Sequence, residues 1–327
     1  MAFTIQTDLI ASQRVAVRRR IPAERPMARV AMCFVLAFFF VVSAQGQTIP
    51  PAAKPVPAIE HAVIISIDGL RPDLLIRAKT PNIHAMMEQG TFTFWAYTIP
   101  MAVTLPSHVS MITGVGVEKH GIDFNSDRHA LMYPNVPTLF EDAHQAKLTT
   151  AMAAGKSKFA TLNKPGTLDW CYIGKDGDLG VAEQAVGFIR EHSPNILFVH
   201  FPDNDAVGHA KGWGSLDQVR TIETVDKYVG MIRAALDEKS LSQSTVIILT
   251  ADHGGAGRNH GPDDPRSRHI PWIVVGPGIA ANNDLTQIAT LNVKTEDTFA
   301  TVCWLLAIPV PNAIDGKPIR EILAPAK

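Results

Sequence analysis

The sequence predicts an α/β protein with a mostly parallel central sheet and helices on both faces. From residue 61 onward, apolar β-branched runs of strand length alternate with stretches of helical periodicity, the pattern that crossover connections between parallel strands require. Three of the runs, AVIISI, ILFVHF and TVIILT, are apolar on both faces, as strands covered on both sides must be. A length of 327 residues suits one large α/β domain, or at most a domain with a small cap.

Taken in order, AVIISID reads as a central strand. Thr80 and Pro81 then read as an N-cap and a first-turn proline for the helix NIHAMMEQ, which Gly90 ends. TFTFWAYT is a shorter strand leading toward Thr104. Pro106 starts the helix SHVSMITG, so Thr104 falls at or just before a helix N-terminus, where free amides and the dipole favour an anion such as phosphate. PTLFEDAHQA reads as helix, LTTAMAA as strand, VAEQAVGFIREH as helix and NILFVHF as strand. The long stretch SLDQVRTIETVDKYVGMIRAALDE carries Val219, Ile222, Val225, Val229 and Ile232 at helical spacing. TVIILTADH and IPWIVVGP follow as strands, and EDTFATVCWLLAI closes as a helix with acids in its first turn. Strand order is not legible from this pattern.

The N-terminus has its own character. Arg14, Arg18, Arg19, Arg20, Arg25 and Arg29 precede an apolar run from Val30 to Val42, and Val42-Ser43-Ala44 has the small residues of a cleavage site. This is the layout of a secretory signal peptide, with Met27 as an alternative start. An uncleaved N-terminal anchor is the alternative, and both readings put the catalytic part outside the cytoplasm. The expected organisation is a signal peptide over 1–44, a Pro/Ala-rich linker over 45–60 and a catalytic domain over 61–327, exported to the periplasm or secreted, with no stable membrane anchor after cleavage. Residues 1–44 hold six basic and two acidic residues, and without them the formal charge changes from −1 to −5. No dense basic stripe with interleaved aromatics survives, so no nucleic-acid groove is expected. Cys171 and Cys303 remain in the mature chain, and two cysteines so far apart leave pairing and a buried structural role both open.

Chemistry concentrates in a few places. Asp68 ends the first strand in ISIDGLRPD, Asp205 and His209 lie in PDNDAVGH, Asp252 and His253 in LTADHGG, and His260 in RNHG. All are oxygen or imidazole donors of the kind that zinc and other borderline divalent metals take. Three of these segments follow apolar strand runs, and in an open α/β sheet ligand sites form beyond the carboxyl ends of parallel strands, so one crevice is expected to gather them. Thr104, in VTLPSHVSMITG, is then the expected nucleophile, because a threonine hydroxyl is unreactive at neutral pH unless something nearby ionises it. Taken singly, Asp68 before a glycine reads as a turn residue and each histidine as an ordinary core or surface one. The four segments together favour a site.

The motifs ISIDGLRPD, TLPSHVSMITG followed by HGI, the Asp205/His209 pair, ADHGG and HG at His260 resemble the alkaline phosphatase superfamily, in its type I phosphodiesterase/nucleotide pyrophosphatase branch. The resemblance covers about residues 61–323, and sulfatases and phosphonoacetate hydrolases are cousins. It implies an alkaline-phosphatase-like sandwich and two divalent metal ions, zinc by donor type. Asp68, Thr104, Asp252 and His253 would hold the ion that activates the nucleophile. Asp205, His209 and His260 would hold the other, with His269 a weaker substitute for His260. Asn125 is implied to contact a phosphoryl oxygen. Lys156 and Lys158 match a lysine pair that meets the substrate's anionic groups in phosphonoacetate hydrolases, while their plain reading is a solvated loop. Trp213 is a further candidate for the pocket wall.

Two divalent ions about 4 Å apart can hold the attacking and leaving oxygens of an in-line displacement. The expected activity is hydrolysis of a small phosphorylated substrate through phosphothreonine on Thr104, with Asn125 and the amide near Thr104 stabilising equatorial charge. Alternatives are a phosphonoacetate-type phosphonate hydrolase, a phosphomonoesterase on the same scaffold, and a catalytically silent metal- or anion-binding protein. Dedicated sulfatase activity is not expected, since Thr104-Leu105-Pro106-Ser107-His108 replaces the C-x-P-x-R setting that formylglycine formation needs.

Overall fold

The computed structural model describes residues 53–127, 132–262, 264–310 and 313–325. The expected signal peptide and the first part of the linker lie outside the described residues. The rest of that linker belongs to the folded body: Ile59 is fully buried, and the amide of Glu60 donates to Ser244 O at 2.8 Å.

Eight strands form one sheet: β1 (His61–Ile67), β2 (Thr91–Tyr97), β3 (Thr150–Ala154), β4 (Trp170–Ile173), β5 (Ile196–Phe201), β6 (Thr245–Thr250), β7 (His269–Val275) and β8 (Asn283–Asp284). Their order is β4-β3-β5-β1-β6-β7-β2-β8. β1 lies between β5 and β6 and is parallel to both, and β3 and β4 continue the parallel half. β7 runs antiparallel to both β6 and β2. The mostly parallel expectation holds, with this one reversal. Every residue of β1, β5 and β6 is buried, which accounts for their unbroken apolar runs. Ile64 is paired in register with Phe198 on one side and Ile248 on the other, and all three are fully buried.

The helices are α1 (Pro72–Arg77), α2 (Pro81–Gln89), α3 (Thr104–Thr113), α4 (Val117–His120), α5 (Leu139–Gln145), α6 (Gly177–His192), α7 (Asp203–Lys211), α8 (Leu216–Glu238), α9 (Pro265–Arg268) and α10 (Asp297–Leu306). Nine of them form two groups: α1, α2, α6 and α7 gather around α8, while α4, α5 and α10 gather around α3, and α9 packs on β7. α8 starts as its sequence requires, with the Ser215 hydroxyl accepting the amide of Gln218 and with Ile222, Val225, Val229 and Ile232 buried along one stripe. Thr80 behaves differently from the expectation. Its hydroxyl pairs with His84 Nδ1 at 2.9 Å, and the first amides of α2, from Asn82 and Ile83, donate to Asp226 of α8. A tertiary carboxylate thus does the work of a local cap. α7 had no periodic signal, because only Asn204, Asp205 and Gly208 of its nine residues are buried. No described helix is long and apolar enough to cross a membrane. Cys171 is exposed and Cys303 buried, and both thiols are free.

His120, in the HGI motif, ties the loop after α4 to α3. Its Nδ1 accepts the amide of Ile122 at 3.0 Å, so Nε2 carries the proton toward the Ser110 hydroxyl, also at 3.0 Å. Burial lowers the His120 pKa from 6.5 to about 4. A depressed histidine contributes stability that is complete above the unfolded value and is lost as pH falls from about 6.5 toward 4. The expected loss by pH 4 is up to about 3 kcal/mol. Urea unfolding across this range checks it, and His120→Gln should flatten that part of the acid limb.

Candidate metal centre

The sheet delivers the candidate side chains to one edge. Asp68 follows β1, and Gly69 turns the chain there with φ +71°, a conformation glycine adopts without strain. Asp252 and His253 follow β6. β5 passes through Pro202 into α7, where Asp205 and His209 stand one turn apart on the same face. His260 comes from the loop between β6 and α9. Thr104 is the first residue of α3, 1% exposed, with its Oγ1 3.5 Å from His253 Nε2.

These residues form two clusters. Asp68, Asp252 and His253 make one, and Asp205, His209 and His260 the other, with ligand atoms in each within 4.8 Å of one another. His269, the weaker candidate, stands apart, stacked on Trp95 at 3.9 Å between ring centroids. The first cluster is wholly buried, whereas the His209 side chain is 41% exposed, so only the second opens to solvent.

The donor set fits cations. Each carboxylate has one oxygen satisfied and one orphaned. Asp252 Oδ1 accepts the amides of Gly69 and His253 at 3.0 and 2.9 Å. Asp68 Oδ2 and Asp205 Oδ2 both accept from Lys156 Nζ at 2.6 Å. Their partners Asp252 Oδ2, Asp68 Oδ1 and Asp205 Oδ1 are buried without a hydrogen bond. The imidazoles are prepared in a complementary way. The Nδ1 atoms of His253, His209 and His260 lie 2.8, 2.9 and 2.9 Å from the carbonyls of Gly254, Arg258 and Ala102. A carbonyl partner puts the proton on Nδ1 and leaves the Nε2 lone pair facing inward. His253 Nε2 is 3.4 Å from Asp68 Oδ1 and 3.3 Å from Asp252 Oδ2, and His209 Nε2 is 3.3 Å from Asp205 Oδ1. Electron-rich atoms held this close in a buried site call for a positive charge among them. Nitrogen and oxygen donors in this ratio suit a divalent ion such as zinc.

Electrostatics agree with this arrangement. Burial pushes the Asp68 carboxyl up, but the Lys156 ammonium and the His200 N–H outweigh it and hold it well below the usual carboxylate range. Burial, together with the Asp68 charge, raises Asp252 well above that range. Burial lowers His253 to about 4, so its imidazole is neutral and ready to ligate. Burial and then the neighbouring Lys156 charge lower the Lys158 ammonium.

Asn125 is oriented by its partners. Its Oδ1 accepts the Leu105 amide at 2.9 Å and Lys158 Nζ at 3.0 Å, which fixes the amide so that Nδ2 remains as the donor. The Leu105 amide is therefore engaged by Asn125. Lys158 sits beside Asn125, and Lys156 lies between the clusters. Trp213 serves as scaffold more than pocket wall: it is 8% exposed, and its indole N–H donates to Gly69 O at 3.0 Å. A Cβ on Gly255 would come within 2.3 Å of the Trp213 ring, so the second glycine of ADHGG is required by close approach.

His200, His108 and Ser66 escaped the sequence reading. His200, on β5, places Nε2 2.9 Å from Asp68 Oδ2. His108, one turn after Thr104, holds the Thr104 carbonyl through Nδ1 at 2.7 Å and meets the Ser66 hydroxyl through Nε2 at 2.8 Å. All three are fully buried, and a histidine within an apolar strand such as ILFVHF is itself a sign that a buried partner exists.

The family model for type I phosphodiesterase/nucleotide pyrophosphatase matches residues 62–139 and 136–265. Curated relatives include a bis(5'-adenosyl)-triphosphatase of Xenopus laevis, 24% identical over 59% of this chain and 47% of its own length. Another is ectonucleotide pyrophosphatase/phosphodiesterase family member 3 of Mus musculus, 23% identical over 66% of this chain and 27% of its own length. The chain thus spans about half or less of these relatives. Among solved structures, murine ectonucleotide pyrophosphatase/phosphodiesterase 5, in an inactive threonine-to-alanine form with AMP bound, superposes with a TM-score of 0.70 at 15% identity, covering 81% of this chain and all of that one. A phosphonate monoester hydrolase from Silicibacter pomeroyi shares the fold with a TM-score of 0.62 at 14% identity, over 81% of this chain and 76% of that one. An α/β fold with paired carboxylate–imidazole clusters, matched by the family model over most of the described domain, makes this chain a member of the type I phosphodiesterase/nucleotide pyrophosphatase family.

Proposed function

We propose that this protein is an exported phosphodiesterase that cleaves small phosphorylated substrates through a phosphothreonine on Thr104. The observation that carries the reading is the placement of Thr104 Oγ1, at the N-terminus of α3 and 3.5 Å from His253 Nε2, which itself lies 3.4 and 3.3 Å from the orphaned Asp68 Oδ1 and Asp252 Oδ2. Asp68, Thr104, Asp252 and His253 would hold one ion, and Asp205, His209 and His260 a second. Bound divalent ions, zinc by donor type, supply the positive charge that lowers the pKa of a nearby hydroxyl and polarises a phosphoryl group.

The chain's own groups do the rest. Thr104 Oγ1 gives up its proton to solvent and forms the new bond to phosphorus as the ester oxygen leaves with its electron pair and takes up a proton from solvent. Water later cleaves the phosphothreonine, one of its protons returning to Thr104 Oγ1 as the phosphoryl product leaves with the new oxygen. His108, by holding the Thr104 carbonyl, keeps the first turn of α3 in place. Asn125 Nδ2 donates to an equatorial phosphoryl oxygen, a contribution of about 3 kcal/mol for a well-placed donor. The exposed side of the Asp205 cluster leaves a path for the departing group. Export follows from the basic and apolar N-terminal layout, and the ectoenzyme names of the relatives support it.

A second reading is favoured by Lys158, whose ammonium lies 3.0 Å from Asn125 Oδ1 and so would stand beside a phosphoryl group held by Asn125. A substrate with further negative charge, as in phosphonoacetate, would meet Lys158 and Lys156 there. Hydrolysis of p-nitrophenyl phosphate, bis-p-nitrophenyl phosphate, p-nitrophenyl phenylphosphonate and phosphonoacetate, with zinc or manganese and then with chelator, separates the readings. Metal-dependent preference for the diester is the expected result. Preference for the monoester would make the protein a phosphatase, and phosphate release from phosphonoacetate a phosphonate hydrolase. Phosphate binding without turnover of any substrate would leave only a binding protein.

A further inference from the structure

Lys156 stands at the point common to both clusters. Its Nζ donates to Asp68 Oδ2 and Asp205 Oδ2, both at 2.6 Å, and its side chain is 19% exposed. His200 completes this arrangement. Its Nδ1 accepts the amide of Gly155 at 3.3 Å, so Nε2 carries the proton and donates to Asp68 Oδ2 at 2.9 Å. Because Gly155 immediately precedes Lys156, one imidazole sets both the carboxylate and the loop that bears the ammonium. Asp68 Oδ2 is engaged by two charge-assisted hydrogen bonds and Asp205 Oδ2 by one, whereas Oδ1 of each acid is orphaned, so Oδ1 is the oxygen left facing a metal.

We propose that Lys156 and His200 are positioning residues that restrict Asp68 and Asp205 to one metal-facing oxygen each, and that the Lys156 ammonium is a permanent cation joining the two half-sites with or without metal. The metal-facing part rests on the two-cluster reading above. Two neighbouring buried carboxylates repel when no cation lies between them, so the site needs this charge before metal arrives. An ammonium has three protons, and two are used here. The third is available to an anionic substrate oxygen, so this role adds to substrate contact and does not replace it.

The test uses the full chain stripped with chelator and then loaded with zinc or cobalt. Lys156→Met should lower the Tm of the metal-free protein by about 5–10 °C, the effect of leaving buried charge unpaired. Zinc should recover most of that loss, and adding Asp205→Asn to Lys156→Met should recover it without metal. In the cobalt-loaded protein, freed carboxylates can bind through both oxygens, and the higher coordination number weakens the visible absorption that is intense for four-coordinate cobalt. Lys156→Met and His200→Leu should both show this weakening. His200→Gln, whose side-chain amide can still donate to Asp68, should restore the wild-type spectrum. An unchanged metal-free Tm in Lys156→Met, or no rescue by Asp205→Asn, would overturn the permanent cation. Wild-type spectra in both Lys156→Met and His200→Leu would overturn the positioning role. If the wild type bound neither metal, the two-metal reading and the positioning role would both fail, while the metal-free melting comparison would still decide the cation.

Discussion

Thr104→Ala is expected to lower the turnover of the preferred ester by at least about a hundredfold, as removal of a nucleophile does. The fold should survive, since alanine is the best helix former and Thr104 is the first residue of a fully buried helix. Metal content should survive too, because the aspartate and histidine donors of both clusters are untouched. Rapid quenching of the wild type with a phosphorus-labelled diester should leave label on Thr104, and the alanine variant should carry none. A loss of less than about tenfold, where nucleophile removal should take far more, would mean that water attacks phosphorus directly and that Thr104 only shapes the pocket.

Asp252→Asn should be nearly as damaging and for a different reason. The asparagine keeps an oxygen to accept the amides of Gly69 and His253, so the turn that joins β1 to the β6 loop is retained. It places an NH₂ group where the orphaned Oδ2 stands, and an amide nitrogen does not ligate. Affinity for the buried ion should fall by more than about a hundredfold, since outer-shell partners alone account for losses of about 10–100-fold. Metal analysis after dialysis should read one ion per chain against two in the wild type. Two tightly held ions in the variant would show that Asp252 is structural and that the first cluster has been assigned wrongly.

The legibility of this site follows from where its parts lie in the chain. Each donor sits at a punctuation mark: Asp68 where an apolar strand stops, Asp252 and His253 after another, Asp205 and His209 one helical turn apart. Strand ends are marked by local composition, and parallel strands put their carboxyl ends on one edge, so convergence follows from pattern and topology together. The place of Thr104 at a helix start was legible for the same reason, through the proline that follows it and the helix it opens. Trp213 was seen only as a tryptophan among glycines. Its function as a wedge against Gly255 and Gly69 depends on contacts that no spacing records.

Sequence alone therefore determined the α/β class, the buried central strands, the donor types and the edge where they meet, because all of these are written in periodicity and residue chemistry over short windows. Tertiary structure decided the rest. The reversal of β7 depends on which strands become neighbours, which hydrophobic runs do not encode. The first amides of α2 are capped by Asp226, more than a hundred residues away in the chain. Which oxygen of Asp68 faces the cluster depends on Lys156 and His200, 88 and 132 positions distant. An oxygen is left bare only when its twin has been satisfied, and that assignment exists only after the chain has brought the donors together.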